Sequence, residues 1–295
     1  MLVVLRIASA GRLLCPGGDL QSPALWNESD IVKLYLFYLL LWLLLSGMAG
    51  GQQAPLPPIA NVTPCPYVAV LVWHDVLPEK QVWFDTTLAT FKAQLAAIKR
   101  GHFNVVSLNA LDKHLTQGTL LPERPLVLTF DDNNRGLYQY AFPLLKQYGY
   151  PATLFVHTDY VGVTTSKAHC NWTELAAMQQ SGLISVQSLT VTHPADIRLL
   201  ADVDIERQLT VSRASIEKHL KQFSHSVTAF VYPENNYDVR VAHLVAKNGY
   251  HLAFTENWGN AGASPNRMMI HRYSILKRFA QALADVDRAY KHKAR

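Results

Sequence analysis

From Tyr67 onward the chain repeats a strand-like segment followed by a helix-like segment, and this repeat constrains the fold more than any other feature. The strand-like segments are short apolar, β-branched runs without an alternating polar face, which is typical of parallel strands buried on both sides. The helix-like segments carry apolar residues at helical spacing and commonly end at a glycine. Repeated β–α units with short loops predict an α/β fold with a parallel sheet, either doubly wound or closed into a barrel.

The individual elements can be predicted from the same patterns. Asp85 is the expected cap of the first helix, and Asn171 with Glu174 forms a capping-box pattern before a later one. The predicted strands are 68–73, 104–108, 126–130, 152–156, 184–188, 228–232 and 252–255. The predicted helices are about 85–99, 137–148, 171–180, 202–222 and 239–247.

Polar residues collect directly after several predicted strands. Asp131 and Asp132 follow the apolar run 126–130, His74 follows the first strand, and His193 lies a few residues beyond the strand at 184–188. The carboxyl ends of strands in a parallel barrel share one rim, where active sites lie, so these side chains are expected together. Adjacent carboxylates repel, and the aspartate pair therefore needs a cation or a shared proton unless it only caps the next helix.

The N-terminal segment has the pattern of an export signal. Leu34–Leu45 is an unbroken apolar run of twelve residues, preceded by Lys33 and followed by small residues. The run is short for a transmembrane span of about 20 residues, although an uncleaved anchor over 34–48 is an alternative. We therefore expect an exported protein of the cell envelope or extracellular space, with membrane contact only through this segment. The predicted organisation is an extension with signal peptide or anchor (1–50) and a Pro-rich linker (51–66).

Charge and cysteine usage exclude some classes of protein. The six Lys/Arg and two Asp/Glu of 277–295 account for +4 of the net charge of +5, so the rest of the chain lacks the basic surface of a nucleic-acid-binding protein. We expect a domain at 67–276 and a basic C-terminal tail over 277–295. This tail is expected to be a solvated helix end, with weak contact to an anionic surface as the alternative. The three cysteines form no C-x-x-C motif, which excludes a zinc ribbon. Cys65 and Cys170 are either a disulfide pair or two inert thiols.

The motif Thr129-Phe130-Asp131-Asp132-Asn133, followed about sixty residues later by His193-Pro194, resembles the polysaccharide deacetylase family (carbohydrate esterase family 4). The resemblance implies a distorted (β/α) barrel of seven or eight parallel strands. It implies that Asp131 is the catalytic base that activates a metal-bound water and that Asp132 is a metal ligand. Asn133 replaces the family's glycine, and because asparagine tolerates positive φ, the turn is expected to survive.

The second motif of the family, His-(Ser/Thr)-x-x-His-Pro, is altered in this chain. His193 matches one of its two metal-binding histidines, whereas Leu189 occupies the position of the other. Leucine cannot bind a metal, so Asp132 and His193 remain as two protein ligands where catalytic zinc sites usually have three. The resemblance implies a divalent cation, with zinc as the first expectation and cobalt or nickel as alternatives.

The third motif follows the Tyr-Pro form found in envelope members of the family. Asn235 occupies a glycine position, and Val231 stands where other members carry the arginine that orients the base. Tyr232, Pro233 and Tyr237 are expected to shape a sugar-binding groove, with core packing as the alternative.

Two further histidines are candidates by resemblance. His74, with Asp75, matches the pair that ends the first strand and faces the substrate groove in this family. His271 lies near the position where some members carry a general-acid histidine, and it is the candidate catalytic acid. Many envelope members carry Pro-Arg there instead of the histidine.

The resemblance implies an exported, metal-dependent hydrolase that removes N-acetyl groups from a β-linked N-acetylglucosamine polysaccharide. The reaction breaks carbon–nitrogen bonds other than peptide bonds, in carbohydrate metabolism. The first-strand histidine and the Tyr-Pro motif place the chain closest to the poly-β-1,6-N-acetylglucosamine N-deacetylases. Because of Leu189, the alternative is a catalytically impaired deacetylase-fold protein that only binds glycan. A peptide or amidase-type hydrolase on the same barrel is a third reading. The sequence indicates no oligomeric state.

Overall fold

The computed structural model describes residues 29, 32–34, 36–38, 54–60, 67–223 and 226–293, except for the side chains of 277, 292 and 293. The chain divides into two units, Met1–Ala54 and Pro55–Arg295. In the first unit the described residues between 29 and 38 are helical, and most of the predicted export signal lies outside the described residues. Within the described ranges, no helix has both the length and the apolar composition needed to cross a bilayer.

The second unit is built on a curled sheet whose strand pairings are all parallel. The strand order is β10-β1-β5-β6-β7-β8-β9, and β4 pairs with β5. These strands are β1 (Ala69–Trp73), β4 (Asn104–Val105), β5 (Pro125–Phe130), β6 (Ala152–Val156), β7 (Ile184–Ser188), β8 (Ala229–Val231), β9 (Leu252–Phe254) and β10 (Tyr273–Ser274). A parallel bridge between Phe254 and Ile270 joins β9 to the segment before β10. The predicted distorted (β/α) barrel of seven or eight parallel strands is confirmed.

In the described part of the unit, a small second sheet and seven α-helices accompany the main sheet. The small sheet pairs β2 (Asp75–Leu77) with β3 (Asp85–Thr87). The helices are α1 (Leu88–Arg100), α2 (Leu108–Gln117), α3 (Phe142–Tyr148), α4 (Trp172–Gln180), α5 (Asp202–Leu220), α6 (Val239–Lys247) and α7 (Ile275–Lys293). A π-helical turn, Leu137–Ala141, precedes α3.

Both faces of the main sheet are apolar, which explains why the strands lack an alternating polar pattern. In β1, Leu71 and Trp73 belong to one buried cluster, while Val70 belongs to a second cluster with Val231 and Leu189. Successive side chains of a strand point to opposite faces, so each strand contributes to both clusters.

Some local predictions are confirmed and others need correction. The capping box of α4 is present, with reciprocal hydrogen bonds between Asn171 and Glu174. Helix α1 begins later than predicted, because Thr87 rather than Asp85 caps it. The strand predicted at 104–108 ends at Val105, and the unpredicted helix α2 follows it with Ser107 as its cap.

The predicted domain ends also differ from the observed packing. The described part of the predicted linker packs on the domain, since the Ala60 N–H donates to the Leu115 carbonyl at 2.7 Å. The expected tail boundary at 276/277 falls inside α7, whose side chains Ala282 and Val286 are buried. The expected helix end is thus present as far as Lys293, and it packs on the domain through Ala282 and Val286.

Cys170 is a free, buried thiol, which agrees with the unpaired alternative. Burial raises the pKa of this thiol to about 12, which makes it inert as a nucleophile at neutral pH. Cys65, its predicted partner, lies outside the described residues.

Candidate active site

The loop after β5 separates the two adjacent carboxylates. The Asp131 N–H donates to the Trp73 carbonyl at 2.9 Å, which extends the pairing of β5 with β1. Asp132 and Asn133 then adopt positive φ values of 70° and 56°, as predicted for Asn133. The chain reverses within these two residues, so the Asp131 carboxylate is almost fully buried while that of Asp132 is about a quarter exposed.

A buried arginine fixes the Asp131 carboxylate. The Arg272 guanidinium donates to Oδ1 at 2.9 Å and to Oδ2 at 2.7 Å, and its Nε donates to the Thr255 carbonyl at 2.9 Å. It lies within about 6 Å of the rings of Phe155 and Phe254. Burial would lower the pKa of Arg272, but the charge of Asp131 raises it above its usual value. This geometry holds the carboxylate in one orientation.

Asp132 and His193 form the pair that fits a metal ion. Asp132 Oδ1 lies 3.7 Å from His193 Nε2. Zinc binds carboxylate oxygen and imidazole nitrogen at about 2.0–2.2 Å, so both atoms can reach one ion. Burial and the charge of Asp131 raise the pKa of Asp132, an environment that favours a bound cation over a free carboxylate.

Leu189 lies where the third ligand is expected. Its side chain is 1% exposed, lines the same cavity as Asp132 and His193, and belongs to the apolar cluster that includes Phe155 and Val231. The position therefore contributes apolar packing and no ligand atom.

A second polar group lies on another wall of the cavity. Within the described part of the chain, His74, Asp131 and Glu256 are the group of three whose potential ligand atoms lie within 4.8 Å of one another. His74 Nε2 is 3.5 Å from Glu256 Oε1. Because Asp131 already pairs with the fixed positive charge of Arg272, a cation here would be repelled. Of the two groups, Asp132 and His193 are therefore the better suited to hold a cation.

The His74 imidazole is a base of unusual strength. Burial alone would lower its pKa, but the hydrogen bond to Glu256 and the charges of Asp132 and Asp131 raise the pKa of His74 to about 9. The pKa of Glu256 is lowered, because the hydrogen bond from His74 and the charge of Arg272 outweigh the effect of burial. At neutral pH the pair is therefore an imidazolium and a carboxylate.

These groups surround a cavity of about 350 Å³ at the carboxyl ends of the strands. Tyr232 lines it, and its buried hydroxyl donates to the Met268 carbonyl at 2.8 Å. The cavity is lined by His74, Trp83, Phe84, Asp131, Asp132, Leu189, His193, Val231, Tyr232, Glu234, Asn235, Glu256, Ser274 and Leu276.

The comparisons with known proteins agree with this geometry. Residues 120–253 match the family model described as polysaccharide deacetylase. This stretch of the chain is similar to a polysaccharide deacetylase domain. The first two motifs with their connecting segment lie within the matched region, whereas His74, Glu256 and Arg272 lie outside it.

A poly-β-1,6-N-acetyl-D-glucosamine N-deacetylase of Staphylococcus epidermidis is 26% identical to this chain over 182 residues. The match covers 58% of this chain and 61% of the relative, so the chain spans less than two thirds of that protein. Two solved structures share the fold, each with a TM-score of 0.67 and coverage of 75% of this chain and 97% of theirs. They are the Streptococcus pyogenes deacetylase PplD in complex with acetate, 23% identical, and IcaB from Ammonifex degensii, 24% identical.

Several residues predicted for the deacetylase site lie elsewhere. Asp75 is buried and accepts a hydrogen bond from Lys167 Nζ at 2.8 Å, away from the cavity. Neighbouring residues of an extended segment point in opposite directions, so only His74 of this pair faces the cavity. Pro233 and Tyr237 do not line it either, and Tyr237 stacks behind Tyr232 with ring centroids 4.9 Å apart.

The predicted placement of His271 is corrected by the same alternation. Its N–H donates to Ser264 Oγ, its ring lies beside Gly259, and it does not line the cavity. The next side chain, Arg272, points inward to Asp131. The orienting arginine expected at position 231 is thus supplied from a segment 141 residues after the base.

Sequence reasoning missed Glu256 as well as the role of Arg272. The sequence contains a hint of each. Glu256 directly follows the predicted strand at 252–255, and Arg272 is the one Asp, Glu, Lys or Arg residue within 268–276. Neither signal identifies a partner, since both pairings depend on long-range folding.

Proposed function

We propose that the protein is a metal-dependent N-deacetylase of a β-linked N-acetylglucosamine polysaccharide. The observation that carries this proposal is the Asp131 carboxylate, held by Arg272 in a cavity beside the Asp132–His193 pair. A fixed base beside a cation site is the arrangement that amide hydrolysis by water requires. The name of the Staphylococcus epidermidis relative supports a poly-β-1,6-linked substrate.

Asp131, Arg272 and the Asp132–His193 pair have separate roles in this reaction. A divalent cation held by Asp132 and His193, of which zinc best suits a carboxylate–imidazole pair and cobalt or nickel are alternatives, would polarise the amide carbonyl and acidify water. Asp131 accepts a proton from the water as its oxygen bonds to the carbonyl carbon. Arg272 keeps the carboxylate oriented throughout.

His74 is placed to complete the reaction. It lies in the cavity close to Asp131, and its raised pKa keeps it protonated at neutral pH. It donates its proton to the amide nitrogen as the carbon–nitrogen bond breaks. The products are acetic acid, which ionises to acetate, and a free amine on the sugar. The proton that Asp131 accepted from water restores the imidazolium of His74, so both groups return to their starting states.

Leu189 favours a second candidate function. With two protein ligands instead of three, the site binds a metal more weakly, at a cost of several of the roughly 10–16 kcal/mol typical of structural zinc sites. The alternative is a deacetylase-fold protein that binds glycan without turnover.

Acetate release decides between the two candidates. The full chain is incubated with N-acetylglucosamine oligomers and Zn²⁺, Co²⁺ or Ni²⁺, beside the variants Asp131→Asn and Leu189→His. Acetate release by the natural chain, abolished by Asp131→Asn, supports the deacetylase. Activity restricted to Leu189→His supports the glycan-binding alternative, and the absence of activity in both would overturn the family-derived substrate.

We further propose that the protein is exported, because the apolar run at 34–45 has the length and flanks of a signal sequence. Fractionation of the producing cells with N-terminal sequencing of the product tests this. A mature N-terminus near residue 50 in the exported fraction is expected, and a cytosolic product that retains Met1 would contradict it.

A further inference from the structure

Two adjacent aromatic residues, the exposed Trp83 and the partly buried Phe84, line the cavity. Trp83 is 74% exposed and yet lines the cavity together with Phe84, and the two rings meet edge to face at 5.6 Å. A single exposed aromatic residue on a protein surface needs no explanation. Trp83, however, lines the same cavity as Asp131, so its exposed ring is available to a ligand in that cavity.

The segment that presents Trp83 is held firmly from below. The buried Asp85 carboxylate accepts hydrogen bonds from the Gln81 N–H at 2.9 Å and the Val82 N–H at 3.0 Å. Its other oxygen pairs with Lys167 at 2.5 Å. These hydrogen bonds fix the turn formed by residues 81–84, which contains Trp83. Its indole is presented by a rigid turn.

Phe84 connects this turn to the reacting groups. Its ring lies 5.6 Å from the His74 ring and 5.5 Å from Lys167 Nζ. Phe84 also lines a second cavity of about 230 Å³, which shares Asp132 and His193 with the first. The proposed metal-binding pair is thus open on two sides, as a site that acts within a polymer requires.

We propose that Trp83 is a sugar-stacking residue, which binds a ring of the N-acetylglucosamine polymer next to the ring whose acetamide reacts. The inference rests on the proposed function and extends it to a binding subsite. The face of a β-linked sugar ring presents C–H groups with partial positive charge, and the face of an indole carries negative charge density. A neutral sugar also gains from covering apolar surface that is otherwise in water.

Tyr232 and Tyr237, the aromatics expected to contact sugar, are not available for stacking. Tyr232 lines the cavity but is only 2% exposed, and Tyr237 packs behind it. Phe84 is packed against His74 and Lys167. Among the aromatic residues that line the cavity, Trp83 is the one with a largely free surface.

The test measures binding and turnover separately in the full chain. Calorimetry with β-1,6-linked N-acetylglucosamine oligomers and with single N-acetylglucosamine is compared for the natural chain, Trp83→Ala and Trp83→Phe. Trp258→Ala is the matched control, because Trp258 is 48% exposed but does not line the cavity. Trp83→Ala is expected to weaken oligomer binding and raise KM about tenfold with little change in kcat. Trp83→Phe should recover most of this loss, and binding of the single sugar should not change.

The outcomes separate this inference from the proposed function. Oligomer binding that depends on Trp83 in a chain that releases no acetate supports the stacking residue and contradicts the deacetylase. Equal oligomer affinity in Trp83→Ala and the natural chain overturns the inference, even if acetate is released. A similar loss in Trp258→Ala, or failure of the natural chain to bind oligomers, also overturns it.

Discussion

At the scale of single residues, backbone strain is concentrated where the site is built. In the described chain eight non-glycine residues have positive φ, and six of them lie in the three motif loops: Asp132, Asn133, Thr190, His193, Glu234 and Asn235. Each such residue costs roughly 1–3 kcal/mol and persists only where its surroundings hold it. Here Thr190 Oγ1 accepts from the His193 N–H, and Asn235 Oδ1 accepts from the Glu256 N–H at 2.7 Å. Asparagine at positions 133 and 235 keeps these turns accessible and, at 235, also fixes the strand end that carries Glu256.

The Glu256 carboxylate is predicted to act through His74. Glu256→Gln preserves the shape of the side chain but removes the charge that favours the imidazolium. We expect kcat for acetate release to fall roughly 10- to 100-fold at neutral pH. A general acid typically contributes about 10²–10⁴-fold to the rate, and the variant is expected to lose part of that contribution. KM should change little, because the substrate contacts remain.

Glu234→Gln is the control for this variant. Glu234 lines the same cavity, and Glu256 rather than Glu234 is the carboxylate paired with His74. Its replacement removes an equal charge without changing the His74 pair, so kcat should remain near that of the natural chain. If both variants lose the same activity, the general negative charge of the cavity matters and the His74–Glu256 pair does not.

At the scale of elements, one buried lysine joins the small sheet to the rest of the domain. Lys167 pairs with Asp75 of β2 and Asp85 of β3, and all three side chains are at most 9% exposed. Lys167→Met keeps the length of the side chain but leaves two buried carboxylates without a partner. We expect the free energy of unfolding to fall by about 3–5 kcal/mol, measured by urea denaturation.

The triple variant Lys167→Met, Asp75→Asn, Asp85→Asn gives the matched comparison. Removal of both carboxylates together with the lysine leaves no unpaired buried charge, so much of the lost stability should return. If Lys167→Met alone is as stable as the natural chain, the ion-pair network does not hold β2 and β3.

The sequence predicted the strands that are buried on both faces. It did not predict the start of α1, where two residues are candidate helix caps. The strands at 126–130 and 152–156 are recognisable because parallel strands buried on both faces consist of largely apolar runs. Asp85 was a good cap candidate, but its carboxylate serves the preceding turn and Thr87 caps α1 instead. Such competition is decided by tertiary contacts, which a local pattern does not contain.

At the scale of the whole molecule, the barrel topology assembles the site from distant parts of the chain. His74, Asp131, His193 and Glu256 follow β1, β5, β7 and β9, and Arg272 precedes β10. The sequence predicted that polar residues after the strands would meet at one rim. His74, Asp131, Asp132 and His193 do line the cavity, whereas Asp75 does not. The pairing of Asp131 with Arg272 was not predictable, because any of several arginines could reach a base at that separation.

The same topology gives the short N-terminal segment at 55–60 a structural role. The Arg267 N–H donates to the Pro57 carbonyl at 2.9 Å, and Arg267 Nε donates to the Pro58 carbonyl at 2.8 Å. Together with the Ala60–Leu115 bond, three hydrogen bonds tie this segment to the domain, and Leu56 and Ile59 pack on its apolar clusters.

A chain of residues 55–295 is therefore expected to be more stable than one of residues 67–295, although both contain every strand and every proposed site residue. At about 1 kcal/mol for each hydrogen bond, the difference in unfolding free energy should be about 3 kcal/mol. Urea denaturation of the two chains measures it, and Arg267→Ala in the longer chain should account for the part due to the Pro58 contact. Equal denaturation midpoints would show that 55–60 is a linker, as the sequence alone suggested, and that its contacts add nothing to the stability of the barrel.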